Sequence, residues 1–359
     1  MASSRPRKRR ASSDDPIPEA ETTEGPGAPR VVFAFDKFRG TATSAELAEA
    51  GSGVAAAAGW RSVAVPLADG GEGSLAALGG PNRWTTVAGP LGDPVEAGWR
   101  MEGRVAWIEM AAASGLLLAG GPAGNDAMAA DTTGTGQLIA NAIEVGARTI
   151  YVLLGGSATT DGGWGAVRAM PPAARMKEIE LIVACDVRTR FTDAADVFGP
   201  QKGASPSQVA LLGRRLQRLV QVYRDTYGVD VGTMEGAGAA GGLAGGLLAL
   251  GGRIEPGFDV VAESVGLDEH LRTAALAVTG EGYLDAESFN GKVVGGVAGW
   301  AAEVDVPVLA IVGDRDPDVD APAGIEVVCL AERYGLDRAL AAPVALVAEI
   351  LADYLDPPG

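Results

Sequence analysis

A parallel α/β fold in two domains is predicted by three features of the sequence. Short apolar runs end in loops bearing Gly or Asp, Ala-rich stretches of helical length alternate with them, and a chain of 359 residues exceeds the usual size of one domain. The runs are 31–36 (VVFAFD), 62–71 (SVAVPLADGG), 105–111 (VAWIEMA), 149–156 (TIYVLLGG), 180–187 (ELIVACDV), 276–282 (LAVTGEG), 306–314 (VPVLAIVGD) and 325–332 (IEVVCLAE). Helices are expected in 44–59 (SAELAEAGSGVAAAAG) and 136–147 (GQLIANAIEVGA). In such sheets ligands bind beyond the carboxyl ends of the strands, where each of these loops falls. Residues 1–30 lack periodicity and are rich in Pro, Ser and charge, so they are expected to form a disordered tail.

Composition removes several classes of function. No apolar run reaches membrane-spanning length without Gly or a charge, so no membrane segment is expected. The two cysteines, Cys185 and Cys329, fit no metal-ligand spacing, and a reduced, cytoplasmic setting is expected. The single histidine, His270, excludes a His-based zinc cluster and argues against a Ser-His-Asp mechanism. A net charge of −17 makes the chain a poor nucleic-acid binder. Five lysines occur among 29 basic residues, and three of them, Lys37, Lys202 and Lys292, sit in glycine-bearing turns. Lysine there is a compact point charge able to reach a phosphate.

Four loops carry candidate chemistry. Residues 153–165 (LLGGSATTDGGWG) place Gly155, Gly156, Ser157 and Asp161 directly after an apolar run, either as a backbone cradle for an anion or as a packing loop. In 131–143 (DTTGTGQLIANAI), Thr132, Thr133 and Thr135 precede a helix expected near Gly136, as caps or as an anion site. In 65–78 (VPLADGGEGSLAAL), Asp69 and Glu72 suit a metal or a hydroxyl proton, or merely an acidic first turn. The densest constellation is 278–298 (VTGEGYLDAESFNGKVVGGVA), where Glu281, Asp285, Ser288 and Lys292 have the composition of a magnesium-phosphate site but not the spacing of a P-loop. The stretch 236–241 (GAGAAG) matches a dinucleotide fingerprint, with Asp259 near the expected distance, and leaves a nicotinamide-dependent oxidoreductase as a rival reading.

In order along the chain stand DKFRGTATSAE, PLADGGEG, IEMAAASGL, DTTGTGQLI, GGSATTDGGWG, ACDV, VFGPQKGA, GAGAAGGLAGGLL and TGEGYLDAES with its following GK. Together they resemble the bacterial glycerate kinase family of the glycerate 2-kinase type, over roughly Val31 to Val308. The resemblance implies two α/β domains with a cleft between them, one flavodoxin-like and inserted into the other. The expected division is 31–95 with 295–359 around an insertion at 96–294. It implies ATP and Mg2+ as cofactors and D-glycerate as substrate, phosphorylated at the 2-hydroxyl. Glu281 and Asp285 would hold the metal, or one of them would take the hydroxyl proton, with Asp186 and Asp69 as further candidates for the base. Lys292, Lys202 and Lys37 would meet phosphate oxygens, and Arg39 the substrate carboxylate. Asp36, Glu72, Thr133, Gly155, Gly156, Ser157 and Asp161 complete the expected binding residues. The chain departs from the family pattern at Lys37, Arg39, Thr160, Tyr283 and Glu287, and it is shorter between Met170 and Cys185. Those departures keep open a non-catalytic member that binds a small hydroxy acid or a partner.

Overall fold

The computed structural model describes residues 27–38, 40–289 and 291–355. Of the tail expected over residues 1–30, residues 1–26 lie outside the described residues, as does Arg39, while Arg30 already belongs to the first strand. Thirteen strands are formed among the described residues: β1 (Arg30–Phe35), β2 (Arg61–Ala64), β3 (Arg83–Ala88), β4 (Pro94–Glu102), β5 (Val105–Glu109), β6 (Thr149–Leu153), β7 (Glu180–Ala184), β8 (Arg253–Glu255), β9 (Leu276–Gly280), β10 (Tyr283–Leu284), β11 (Val308–Val312), β12 (Asp314–Arg315) and β13 (Ile325–Cys329). They make two lobes, each with its own sheet.

The first sheet runs β13-β11-β9-β1-β2 and is parallel throughout. Counted along the chain, that order is 2-1-3-4-5, so the direction of winding reverses between β1 and β9. β1 shows why the sheet is doubly covered. Val31, Phe33 and Phe35 face Leu47 of helix Ser44–Ala57 and Leu346, Ile350 and Leu351 of helix Pro343–Leu355. Val32 and Ala34 face Phe258 and Val261 of helix Gly257–Ser264 and Val293 and Val297 of helix Val293–Ala302. A run buried on both faces reads as continuous hydrophobicity rather than alternation. Helix Ser44–Ala57 is fixed at its start by a capping box, in which Thr43 and Glu46 each accept the other's backbone N–H.

The second sheet runs β3-β4-β5-β6-β7-β8, antiparallel from β3 to β5 and parallel beyond. Here the structure corrects two expectations. The inserted lobe does not carry the flavodoxin-like order; the sheet built from both ends of the chain does. The boundaries at 95 and 294 are also displaced, because β3 pairs with β4 and β9 pairs with β1. The chain changes sheets between Ala64 and Arg83 and again between Glu255 and Leu276.

These two crossings hold the lobes together. Leu75, Leu78 and Val260 pack on Trp107, Leu153, Ile182 and Ala184, the face of the second sheet turned toward the first lobe. The crossings touch backbone to backbone at Gly70 and Gly257. A Cβ on Gly70 would lie 2.4 Å from Gly257 Cα, and one on Gly257 would lie 2.2 Å from the Asp69 carbonyl oxygen. Glycine is required on both sides of so close an approach. Among the described residues, no helix is long and apolar enough to cross a membrane.

Candidate active site

The site assembles where the loops after the parallel strands of both lobes converge. From the first lobe come Asp36 and Lys37 after β1, Asp69 and Glu72 after β2, and Glu281, Asp285 and Lys292 after β9. From the second come Glu109 at the end of β5, Gly155 after β6 and Asp186 after β7. β1 and β9 are neighbours at the reversal of strand order, so Asp36 and Glu281 flank the switch point.

Glu281 is buried, with 8 % of its surface exposed, and its Oε1 has no hydrogen-bond partner. Burial pushes its carboxyl up to about 7; the hydrogen bond with Ser288 and the charge of Lys292 oppose that rise, and Asp36 and Asp285 add to it. Asp285 Oδ1 accepts the backbone N–H groups of Glu287 and Ser288, closing the short turn 286–289, and lies 3.7 Å from Lys292 Nζ. The ammonium of Lys292 therefore stands beside the carboxylates of Asp285 and Glu281 at the switch point.

Asp186 reaches the same place from the other lobe. Its Oδ1 accepts the N–H of Gly257 at 2.7 Å, a Cβ on Gly291 would lie 3.4 Å from that oxygen, and its buried Oδ2 has no partner. Burial pushes its carboxyl up to about 7, and the nearby Asp69 and Asp259 raise it further, against the Gly257 and Phe258 hydrogen bonds. Asp259 entered the sequence reading only as a dinucleotide partner; its place here is beside Asp186.

A third group forms around Lys37, whose Nζ donates to the Glu72 carbonyl oxygen. Glu109 Oε1 accepts the N–H groups of Gly73 (3.0 Å) and Leu75 (2.6 Å), so a strand end of the second lobe holds the loop of the first crossing. Burial raises the Glu109 carboxyl. Glu109 was missed in the sequence; the available signal was an acid at the end of a predicted strand.

Other expected ligands are committed elsewhere. Asp161 accepts from Thr132 N, Thr132 Oγ1, Gly163 N and Gly165 N, which ties loop 131–133 to the turn before helix Trp164–Ala169. Thr133 N donates to Asp131, and Gly165 seats against Thr133, so the start of helix Thr133–Glu144 is closed by packing. Gly155 and Gly156 abut the first crossing: a Cβ on Gly155 would lie 2.7 Å from Glu72 N, and one on Gly156 2.8 Å from Glu72 Oε2. Their loop packs the lobes together. Lys202 is buried and donates to Ser157 Oγ at 2.7 Å and to the Thr159 carbonyl oxygen at 2.6 Å. Among the described residues no strand leads into GAGAAG, and residues 240–242 depart from helical geometry, which removes the dinucleotide reading. A groove of about 430 Å³ between helix Val293–Ala302 and residues 322–325 has Asp305 as its one charged lining residue and contains none of the groups described above.

The family model described as the glycerate kinase family matches residues 31–172 and 171–353. The chain belongs to the glycerate kinase family. It is 37 % identical over 336 residues to glycerate 2-kinase of Escherichia coli (strain K12), covering 81 % of this chain and 86 % of that one. It is 35 % identical over 337 residues to glycerate kinase of Bacillus subtilis (strain 168), covering 81 % and 87 %. A crystal structure from Salmonella typhimurium LT2, assigned to glycerate kinase 2, superposes with a TM-score of 0.77 at 32 % identity, covering 91 % of this chain and 98 % of that one.

Proposed function

We propose that this glycerate kinase family member transfers the γ-phosphoryl group of ATP to the 2-hydroxyl of D-glycerate. The observation that carries the reading is the meeting of Asp36, Glu281, Asp285 and Lys292 at the switch point of one lobe with Asp186 of the other. Phosphoryl transfer is catalysed mainly by positioning and charge neutralisation, and such a set of groups supplies both. Lys292 pairs with phosphate oxygens. Asp186 takes the hydroxyl proton: with its carboxyl near 7 it is substantially ionised at neutral pH and still basic enough to accept. Arg39, outside the described residues, is assigned to the substrate carboxylate, and Lys37 to a phosphate oxygen.

The residues fit magnesium. The unpartnered Oε1 of Glu281 is an oxygen donor of the kind a hard cation takes, and Asp285 adds a second carboxylate. Among the described residues no three acidic, His or Cys side chains form a metal-binding group. Magnesium commonly uses one or two carboxylates and completes its shell with phosphate oxygens and water. When bound with the nucleotide, it neutralises charge that develops on the phosphates.

The test is ATP consumption with magnesium across small hydroxy acids, with the phosphorylated position mapped by NMR. D-glycerate should be the preferred acceptor and 2-phosphoglycerate the product. A well-folded protein that turns over none of the acids would leave the binding-protein alternative standing.

A further inference from the structure

We propose that Lys202 is a positioning residue: its buried ammonium braces loop 155–160, and through that loop it sets the Glu72–Lys37 end of the phosphotransfer site. The proposal rests on the activity proposed above, and it replaces the expectation that Lys202 touches phosphate.

Three residues, Lys202, Asn125 and Gly203, make the brace. Lys202 Nζ donates to Ser157 Oγ and to the Thr159 carbonyl oxygen, so one cation grips the loop at two points. Asn125 Nδ2 donates to the carbonyl oxygens of Ala158 (3.0 Å) and Lys202 (2.8 Å), joining the loop to the turn that carries the lysine. Gly203 completes the junction, since a Cβ there would lie 2.2 Å from the Pro122 carbonyl oxygen. Lys202 itself is 4 % exposed, with its ammonium 5.8 Å from the Phe198 ring centroid. A phosphate would have to enter that interior to reach it.

The loop transmits what Lys202 fixes. Gly155 and Gly156 lie against the Glu72 backbone and carboxylate. The Glu72 carbonyl oxygen in turn accepts from Lys37, next to Asp36 at the switch point. Burial pulls the lysine down to about 7, with Asp161 the charge that opposes this. A protein that keeps so poorly solvated an amine there gains the hydrogen bonds it makes and no reach into the cleft.

Hydrogen exchange, ADP binding by calorimetry and kinetics on Lys202→Met, Ser157→Ala and the double variant test this. Ser157→Ala deletes one bond while leaving the amine in place, so it serves if Lys202→Met fails to fold. Exchange should rise in both 153–160 and 69–75. ADP affinity should stay within about twofold while kcat/KM for glycerate falls about tenfold or more, and the double variant should be no worse than the poorer single one. Loss of ADP affinity with unchanged exchange would make Lys202 a nucleotide ligand and overturn the proposal. Raised exchange with undiminished kcat/KM would reduce it to a fold residue. Exchange and ADP binding do not need turnover, so a wild type inactive on every acid would count against the activity and not against the brace.

Discussion

The substitution Asp186→Asn separates a catalytic carboxylate from a structural one. Asparagine keeps the acceptor that holds the Gly257 N–H and cannot ionise. The wild-type carboxyl moves from 3.8 to about 7 on folding. At pH 7 the unfolded chain has released that proton and the folded chain holds it about half the time. Ionisation therefore costs the native state on the order of 4 kcal/mol at this residue. Because the folded pKa is the raised one, the wild type loses this stability as pH climbs from about 4 to about 7. The asparagine variant avoids the loss but buries an amide where Oδ2 has no partner, which takes back about 1–3 kcal/mol. It should therefore match or exceed the wild type in chemical denaturation at pH 7, and that advantage should vanish near pH 4. Its kcat should fall about 100- to 10,000-fold, the usual contribution of a general base. A stable variant with kcat within about tenfold of wild type would move the base to another residue, Glu281 first. Parallel loss of stability and activity would show that the contact with Gly257 is the larger role.

Lys292→Ala should fold normally and lose about 10- to 150-fold in kcat/KM, since a charged hydrogen bond to phosphate contributes about 1.5–3 kcal/mol; near-normal kinetics would remove Lys292 from the site. Gly257→Ala should lower stability by about 1–3 kcal/mol, because its Cβ meets the Asp69 carbonyl oxygen; an unchanged denaturation midpoint would mean that the crossings are not in tight contact. Lys202 has the opposite linkage sign to Asp186. Its folded pKa is the lowered one, so the wild type should gain stability from about 7 up toward 10.5, and Lys202→Met should flatten that rise in a pH series of denaturation curves. Tyr283 is 52 % exposed and its backbone pairs with Asp314. Tyr283→Arg should therefore leave stability nearly intact while changing KM for glycerate several-fold, and identical kinetics would place that side chain away from substrate.

Much of the fold was legible because parallel strands advertise themselves. All eight apolar runs became strands, and in each the apolar run ended within a few residues of a Gly or an acid. β3 and β4 escaped notice because half of β3 faces solvent and only Val87 is buried, so its RWTTVA stretch carries no buried run, and β8 is only three residues long. The displaced boundaries follow from that omission: without the β3–β4 hairpin, nothing in the sequence marks where the second sheet begins. The acids at strand ends were readable for the same reason as the strands. Asp36, Asp186 and Glu281 each stand one or two residues beyond a buried run, where topology alone brings them to one edge.

Local sequence could not separate an anion cradle from a packing loop, and the lysines show why. Lys37, Lys202 and Lys292 all sit in glycine-bearing turns, yet one donates to a backbone carbonyl, one is buried under two loops and one stands among carboxylates at the switch point. A glycine is needed wherever a backbone comes close to something, and sequence does not say whether that something is a phosphate or another backbone. Gly155 faces Glu72 N, and Gly70 faces Gly257. These residues are spent on docking one lobe to the other. Docking is itself a requirement of the proposed chemistry, because Asp186 of one lobe lies against Gly291, next to Lys292 of the other, only if the crossings hold the lobes together. The glycine-rich loops thus fix one lobe against the other, while the charged side chains beside them carry the substrate contacts proposed here.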